Sequence, residues 1–312
     1  MTLSGYLFAK LTNNRDLIYI NFLWNRMLRL LPLMGVVIAI NFMARLVLGL
    51  PIEQLIFEVF EGVILPTLPN GGWSITVELH FYILLPFLLG LLRKGKFNSI
   101  ILLAIIIATR SLFYLEYGEV KDISYSSIIG RLDQFLLGIV AFYSKEFMRN
   151  RHWTAALTFI FFAAFYWLFD YAGGKNNISP TSLLGSVWIV LPTIEGLAYS
   201  VFIAYYDKTY QPKDEGISWL MGRIGAFSYS IYLLHLFFVN DVAHLLRDHF
   251  ALVHNFYVGQ LLALPAFGVM AIIGYFSYRF IETPFLRYRR QYIFDSTSSR
   301  IVPEEIEKVA PM

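Results

Sequence analysis

The 312-residue chain contains no cysteine. That excludes disulfides, thiolate metal sites and a cysteine nucleophile, and it leaves the redox compartment open. Charge is scarce as well: 15% of residues are Asp, Glu, Lys or Arg, against about 25% in a soluble domain. No Gly-x-x-x-x-Gly-Lys or Gly-x-Gly-x-x-Gly occurs, so nucleotide hydrolysis is not indicated. The net charge of +3 is modest, and no nucleic-acid partner is expected. Residues 1–20 lack the uninterrupted apolar core of a cleavable signal peptide. Repeats and Pro/Gly/Ser linkers are missing too. One membrane domain is therefore expected over residues 1–290, with a polar, disordered cytoplasmic tail at 291–312.

What fills the chain is apolar. Hydrophobic residues make up 57% and aromatics 17%, and mean hydropathy is +0.57. A helical span needs about 20 mostly apolar residues. The sequence predicts an all-α, polytopic integral membrane helix bundle with eight complete spans, near 30–50, 73–92, 99–115, 128–144, 153–172, 183–206, 223–240 and 256–278. Residues 1–9 resemble the end of one more span. Asn13–Asn25 reads as an interfacial helix with Tyr19, Phe22 and Trp24 at headgroup level, and residues 207–222 as a solvated connection. Alternate loops carry 17 Lys and Arg on one side and 3 on the other. Cytoplasmic loops hold the excess, so both termini are expected in the cytoplasm and the chain in the inner or plasma membrane.

With that orientation, ionisable residues collect in the outer halves of the spans. Glu78 lies roughly 8 Å below the outer end of its helix at 1.5 Å per residue. A carboxylate at that depth is costly and marks a functional site by default. Ser74, Glu78 and Tyr82 share one helical face. Arg45 and Arg110 lie near enough to span ends to reach the interface. Arg131 and Asp133 open the fourth span, either as a structural pair or as site residues, and Tyr232 and His235 share a face of the seventh. Arg26 and Arg29 read either as a positive-inside anchor or as a phosphate clamp, since guanidinium suits bidentate phosphate contacts. Glu282 closes the last span, where a nearby Arg would pair with it. Glu78 and His80 are two residues apart on a helix and cannot chelate one metal. His249 and His254 lack supporting carboxylates, so no metal site is expected. His244–Asp248 matches an acyltransferase-like His-x-x-x-Asp spacing by coincidence.

Several stretches, in order, resemble membrane acyltransferases of family three, which O-acylate O-antigens, exopolysaccharides and peptidoglycan. They are Leu3-Ser-Gly-Tyr-Leu7, Arg26-Met-Leu-Arg29-Leu-Leu-Pro32, Trp73-Ser-Ile-Thr-Val-Glu78-Leu-His-Phe-Tyr82, Arg131-Leu-Asp-Gln-Phe-Leu-Leu-Gly138, Gly225-Ala-Phe-Ser-Tyr-Ser-Ile-Tyr-Leu-Leu-His235 and Ile281-Glu-Thr-Pro284. Each alone is weak; six in sequence are specific. The resemblance implies transfer of an acyl group, above all acetyl, from acyl-CoA to a hydroxyl of a cell-envelope or exported carbohydrate, lipid-linked or free. For that reaction the residues themselves suggest catalytic roles for Glu78, Arg131, Asp133 and His235, and donor-phosphate binding by Arg26 and Arg29. Trp73, Ser74, Tyr82, Arg110 and Tyr232 would meet the acceptor, with no permanently bound cofactor. The family's usual ten spans include a preceding one with an Arg and an essential His. That segment would lie before Leu3, so the chain is expected to be amino-terminally truncated and impaired. Two alternatives remain open: a glycan transporter or flippase, marked by inverted repeats and broken helices, and an inactive membrane scaffold.

Overall fold

Helix dominates the chain, because at membrane depth each backbone N–H and C=O must be satisfied within the protein. The structure, a computed structural model, describes residues 1–93, 97–173, 185–211, 215–238 and 256–295. In order these form α1 (Thr2–Thr12), β1 (Arg15–Leu17), α2 (Tyr19–Leu48), α3 (Ile52–Glu61), α4 (Trp73–Arg93), α5 (Phe97–Tyr117), α6 (Lys121–Ser126) and α7 (Ile128–Ser144). A 3-10 turn (Lys145–Met148) precedes α8 (His152–Tyr171) and α9 (Val187–Thr209). Then come α10 (Gly216–Ala226), α11 (Ser228–Phe237), α12 (Phe256–Ser277), a π-turn (Tyr278–Glu282), α13 (Thr283–Leu286) and β2 (Ile293–Asp295). Among the described residues, six stretches are long and apolar enough to cross a membrane: α2, α4, α5, α8, α9 and Leu261–Leu286. The chain is a multi-pass, all-α integral membrane protein.

The described residues group into two compact units. The first draws on Met1–Asp16, Thr76–Gln211 and Ile293–Arg300, the second on Leu17–Ile75 and Pro212–Tyr292. In the first, α7 is the central helix and is buried on nearly every side. Most of its surface is apolar, as a helix enclosed by others requires, and its polar residues Arg131, Asp133 and Gln134 are buried with partners. Ser127 caps it by accepting from the Gly130 N–H at 3.1 Å, which satisfies one of the orphan donors of a helix start. α1 packs on α7 at backbone range. A Cβ on Gly5 would collide with the Phe135 carbonyl, and one on Gly138 with the Thr2 carbonyl. Small residues at such crossings let membrane helices approach closely. Phe81 of α4 stacks on Phe135 of α7 at 3.8 Å between ring centroids, and both are fully buried.

In the second unit, α2 packs on α3, α11, the π-turn and α13. The left-handed Gly49 ends α2, its N–H returning to the Arg45 and Leu46 carbonyls, a conformation glycine adopts without penalty. Arg45 reaches both oxygens of Glu58 on α3 at 3.1 Å. Near its start, α2 holds the chain that follows α13. Asn21 donates to the Gln291 carbonyl at 2.8 Å, Trp24 to that of Tyr288 at 3.1 Å and Asn25 to that of Arg290 at 2.7 Å.

Three boundaries differ from the sequence expectation. No separate interfacial helix precedes the first span: Asn14 turns the chain at positive φ, β1 follows, and α2 starts at Tyr19. The expected span 223–240 is broken at Phe227, where the Ser228 hydroxyl bonds back to the Gly225 carbonyl at 2.8 Å; breaks of this kind occur at Gly/Ser pairs. The tail after residue 290 begins as β2, paired with β1. The remainder of that tail, the His244–Asp248 spacing, His249 and His254 lie outside the described residues.

Candidate active site

α4 is largely apolar, and one of its faces carries Ser74, Glu78 and Tyr82. The i, i+4 spacing lets the Tyr82 hydroxyl donate to the Glu78 carboxylate at 3.0 Å, and Ser4 of α1 donates to it more weakly at 3.5 Å. Glu78 is half-buried. Among the described residues it has hydroxyl partners and no ion pair.

The neighbouring charges of this unit are paired. Arg131 and Asp133 are two apart on α7, so they point to different helices. The Arg131 guanidinium reaches Glu195 of α9 at 2.7 Å and the Tyr125 carbonyl at 2.8 Å, lying over the Tyr125 ring 4.8 Å from its centroid. Glu195 also accepts from Gln134 at 2.8 Å and from the Tyr166 hydroxyl of α8. Asp133 pairs with Arg110 of α5 and accepts from Thr193 at 2.5 Å and from the Gln134 N–H at 2.8 Å. Arg110 is 0% exposed and donates further to the Ile189 carbonyl at 2.7 Å. Two buried ion pairs thus join α5, α7 and α9. The added hydrogen bonds are what make such buried pairs tolerable, although the Arg110 Nε is buried without a partner among the described residues.

The other candidates lie in the second unit. The Tyr232 hydroxyl donates to the Gly71 carbonyl at 2.8 Å, and Asn70 donates to that of Leu233. Together they latch α11 to the Asn70-Gly71 turn, where both residues have positive φ. The His235 ring contacts the Tyr232 carbonyl through Nδ1. On α2, the Arg26 guanidinium lies over the Phe22 ring at 5.2 Å. Arg29 and Arg289 both act on the carboxylate of Glu282, which is 1% exposed and accepts from Ser230.

A family model described as an acyltransferase domain, that of family three, matches residues 1–279. The chain belongs to this family. Its members are membrane-bound O-acyltransferases acting on envelope and exported carbohydrates. No curated protein and no solved structure matches the chain.

In this acyltransferase the sequence-derived site residues occupy distinct settings. Glu78, Tyr82, Arg131, Asp133 and Arg110 belong to the first unit; Trp73, Ser74, Tyr232, His235, Arg26 and Arg29 belong to the second. Arg110 is enclosed with Asp133 and is not open to a ligand in this conformation. Arg131 and Asp133, expected as a possible structural pair, bond to separate partners. Glu195 was overlooked by sequence reasoning. The rule that singled out Glu78 applies to it equally, since Leu191-Pro-Thr-Ile-Glu195-Gly also sets a carboxylate inside an apolar run. Arg289 joins the Arg29–Glu282 group only because α2 clamps the chain after α13, which no helical periodicity reveals.

Proposed function

We propose that this acyltransferase moves an acetyl group from acetyl-CoA to a hydroxyl of a cell-envelope or exported carbohydrate. The Lys/Arg excess puts both termini in the cytoplasm, with eight crossings between them. Acetyl-CoA then reaches the side where Arg26 and Arg29 open α2. With Arg289 beside them, these guanidiniums bind the donor phosphates bidentately.

The carrying observation is the state of Glu78. The buried carboxylates Asp133 and Glu195 are neutralised by arginines, whereas Glu78 meets hydroxyls. Among the described residues of this unit it is the half-buried carboxylate without a Lys or Arg partner, with the Met1 ammonium close enough to act on its charge, which leaves it able to orient an incoming imidazole. A sugar hydroxyl must lose a proton as its oxygen attacks the thioester carbonyl and CoA leaves as thiol. Glu78 orients the group that takes this proton, as a carboxylate orients imidazole in a triad. Tyr82 holds Glu78 in place, and Trp73 and Ser74 sit at the same helix end to meet the acceptor. Arg131, fixed by Glu195 and Tyr125, stabilises the oxyanion that develops. Asp133 and Arg110 act by positioning α7. His235, in the second unit, is the candidate substitute base.

The test is transfer of labelled acetyl from acetyl-CoA to membrane or exported glycan, comparing cells carrying the gene at its own locus with cells lacking it. Label that appears on glycan only with the gene, and is released by mild base as an ester, supports the reading. Identical labelling in both strains refutes it.

A further inference from the structure

We propose that Glu282 is a positioning residue for the donor: its buried carboxylate holds Arg29 and Arg289 in place before the phosphates of CoA arrive. The inference rests on the donor-phosphate reading of Arg29 and adds to it a residue that itself touches no substrate. Local sequence places the carboxylate. Pro284 has no N–H with which to continue an α-helical ladder. Just before it the helix widens into the π-turn Tyr278–Glu282, and the Thr283 N–H and hydroxyl both return to the Tyr278 carbonyl. Turns of this kind are frequent at functional positions. Glu282, at the end of the turn, is 1% exposed. Ser230 of α11, also fully buried and 3.1 Å from the Ser277 hydroxyl, donates to it. Hydroxyls alone do not offset a carboxylate held away from water. Cations are needed, and Arg29 and Arg289 lie close enough to act on its charge.

Both arginines stand on fixed backbone. Beside Arg29, the Leu30 carbonyl accepts from Tyr229 of α11 at 2.7 Å. Arg289 is secured on either side: Trp24 donates to the Tyr288 carbonyl, and Asn25 grips Arg290 twice, donating to its carbonyl at 2.7 Å and accepting its N–H at 2.8 Å. Arg29 is half-buried and makes no side-chain hydrogen bond or ion pair among the described residues. One carboxylate therefore serves two guanidiniums and leaves positive charge for a phosphate, which guanidinium binds through paired N–H groups. Ordering these long side chains in advance removes part of the cost of binding. A carboxylate at this place has two opposite effects available. One that only cancels charge weakens phosphate binding; one that fixes the guanidiniums strengthens it. Lowering the charge needs no particular geometry and works from the surface. A carboxylate locked by Ser230 inside a turn sets direction, and that favours positioning.

Isothermal titration of the purified full chain in detergent tests this, with CoA and with pantetheine, which shares the thiol arm and lacks the phosphates. Glu282→Gln keeps the size and the Ser230 contact. It is expected to weaken CoA binding about tenfold, the scale of one lost charge-assisted hydrogen bond, and to leave pantetheine binding unchanged. Glu282→Asp should recover part of the loss. Thermal melting shows whether each variant is folded. If Glu282→Gln does not fold, Ser230→Ala, which unlocks the carboxylate without removing it, should weaken CoA binding in the same selective way. Unchanged or tighter CoA binding in Glu282→Gln, with Arg29→Ala still weakened, overturns the positioning role and leaves the donor reading standing. Equal weakening of CoA and pantetheine assigns Glu282 to the fold and overturns the role as well. CoA binding that Arg29→Ala leaves unchanged overturns the donor reading of Arg29, and this inference with it.

Discussion

At the scale of the residue, the account turns on which buried charges are already committed. Removing the Arg131 guanidinium leaves Glu195 buried without its cation, a situation that costs about 3–5 kcal/mol. Arg131→Ala is therefore expected to lower thermal stability in detergent sharply. Glu195→Gln, which keeps the size and most of the hydrogen bonds, lowers it less. A double-mutant cycle on the pair should show strong coupling, and additive effects would contradict the pairing. Glu78 and its costly setting were legible from the sequence because one carboxylate interrupts an apolar run. Partners were not. Arg131 and Asp133 are neighbours in sequence, yet each bonds to a helix whose azimuth and register only tertiary packing fixes.

Helix contacts carry the next set of expectations. Gly5 and Gly138 stand where α1 and α7 meet backbone to backbone, so Gly138→Ala forces the helices apart at a cost of about 1–3 kcal/mol. Gly35 on α2 has open space beside it. There Gly35→Ala should be neutral or stabilising by up to about 1 kcal/mol, the helix propensity difference. Melting curves that rank the two substitutions the other way would refute the packing. The long helices were readable as runs of about 20 apolar residues, with bounds close to those observed for α4, α5 and α8. The extension of α2 back to Tyr19 was hidden by the mixed polarity of its first turns, where Asn21, Trp24 and Asn25 face a returning strand of chain. The break at Phe227 was hidden for the opposite reason. Both flanking helices are apolar, and hydropathy does not register a single backbone turn held by Ser228.

For the whole molecule, the natural absence of cysteine makes topology directly measurable. A single cysteine placed at Glu61, the last residue of α3, should react with a membrane-impermeant maleimide in intact cells. One placed at Glu146, beside Lys145 and Lys208, should react only after the membrane is opened. The reverse pattern would overturn the orientation and, with it, the assignment of Arg26 and Arg29 to a cytoplasmic donor. The membrane class and the family were both legible from composition and from motifs in fixed order. The chemistry was legible only as a set of residue types, because hydrophobic patterning places a residue on its own helix and says nothing of the charge it will meet. Glu78→Gln, assayed for acetyl transfer from acetyl-CoA to glycan, tests the central claim. Expression and melting should stay normal while transfer falls by about 10²-fold or more, the scale of a lost acid–base contribution. Unchanged transfer in a normally folded variant would remove Glu78 from the mechanism.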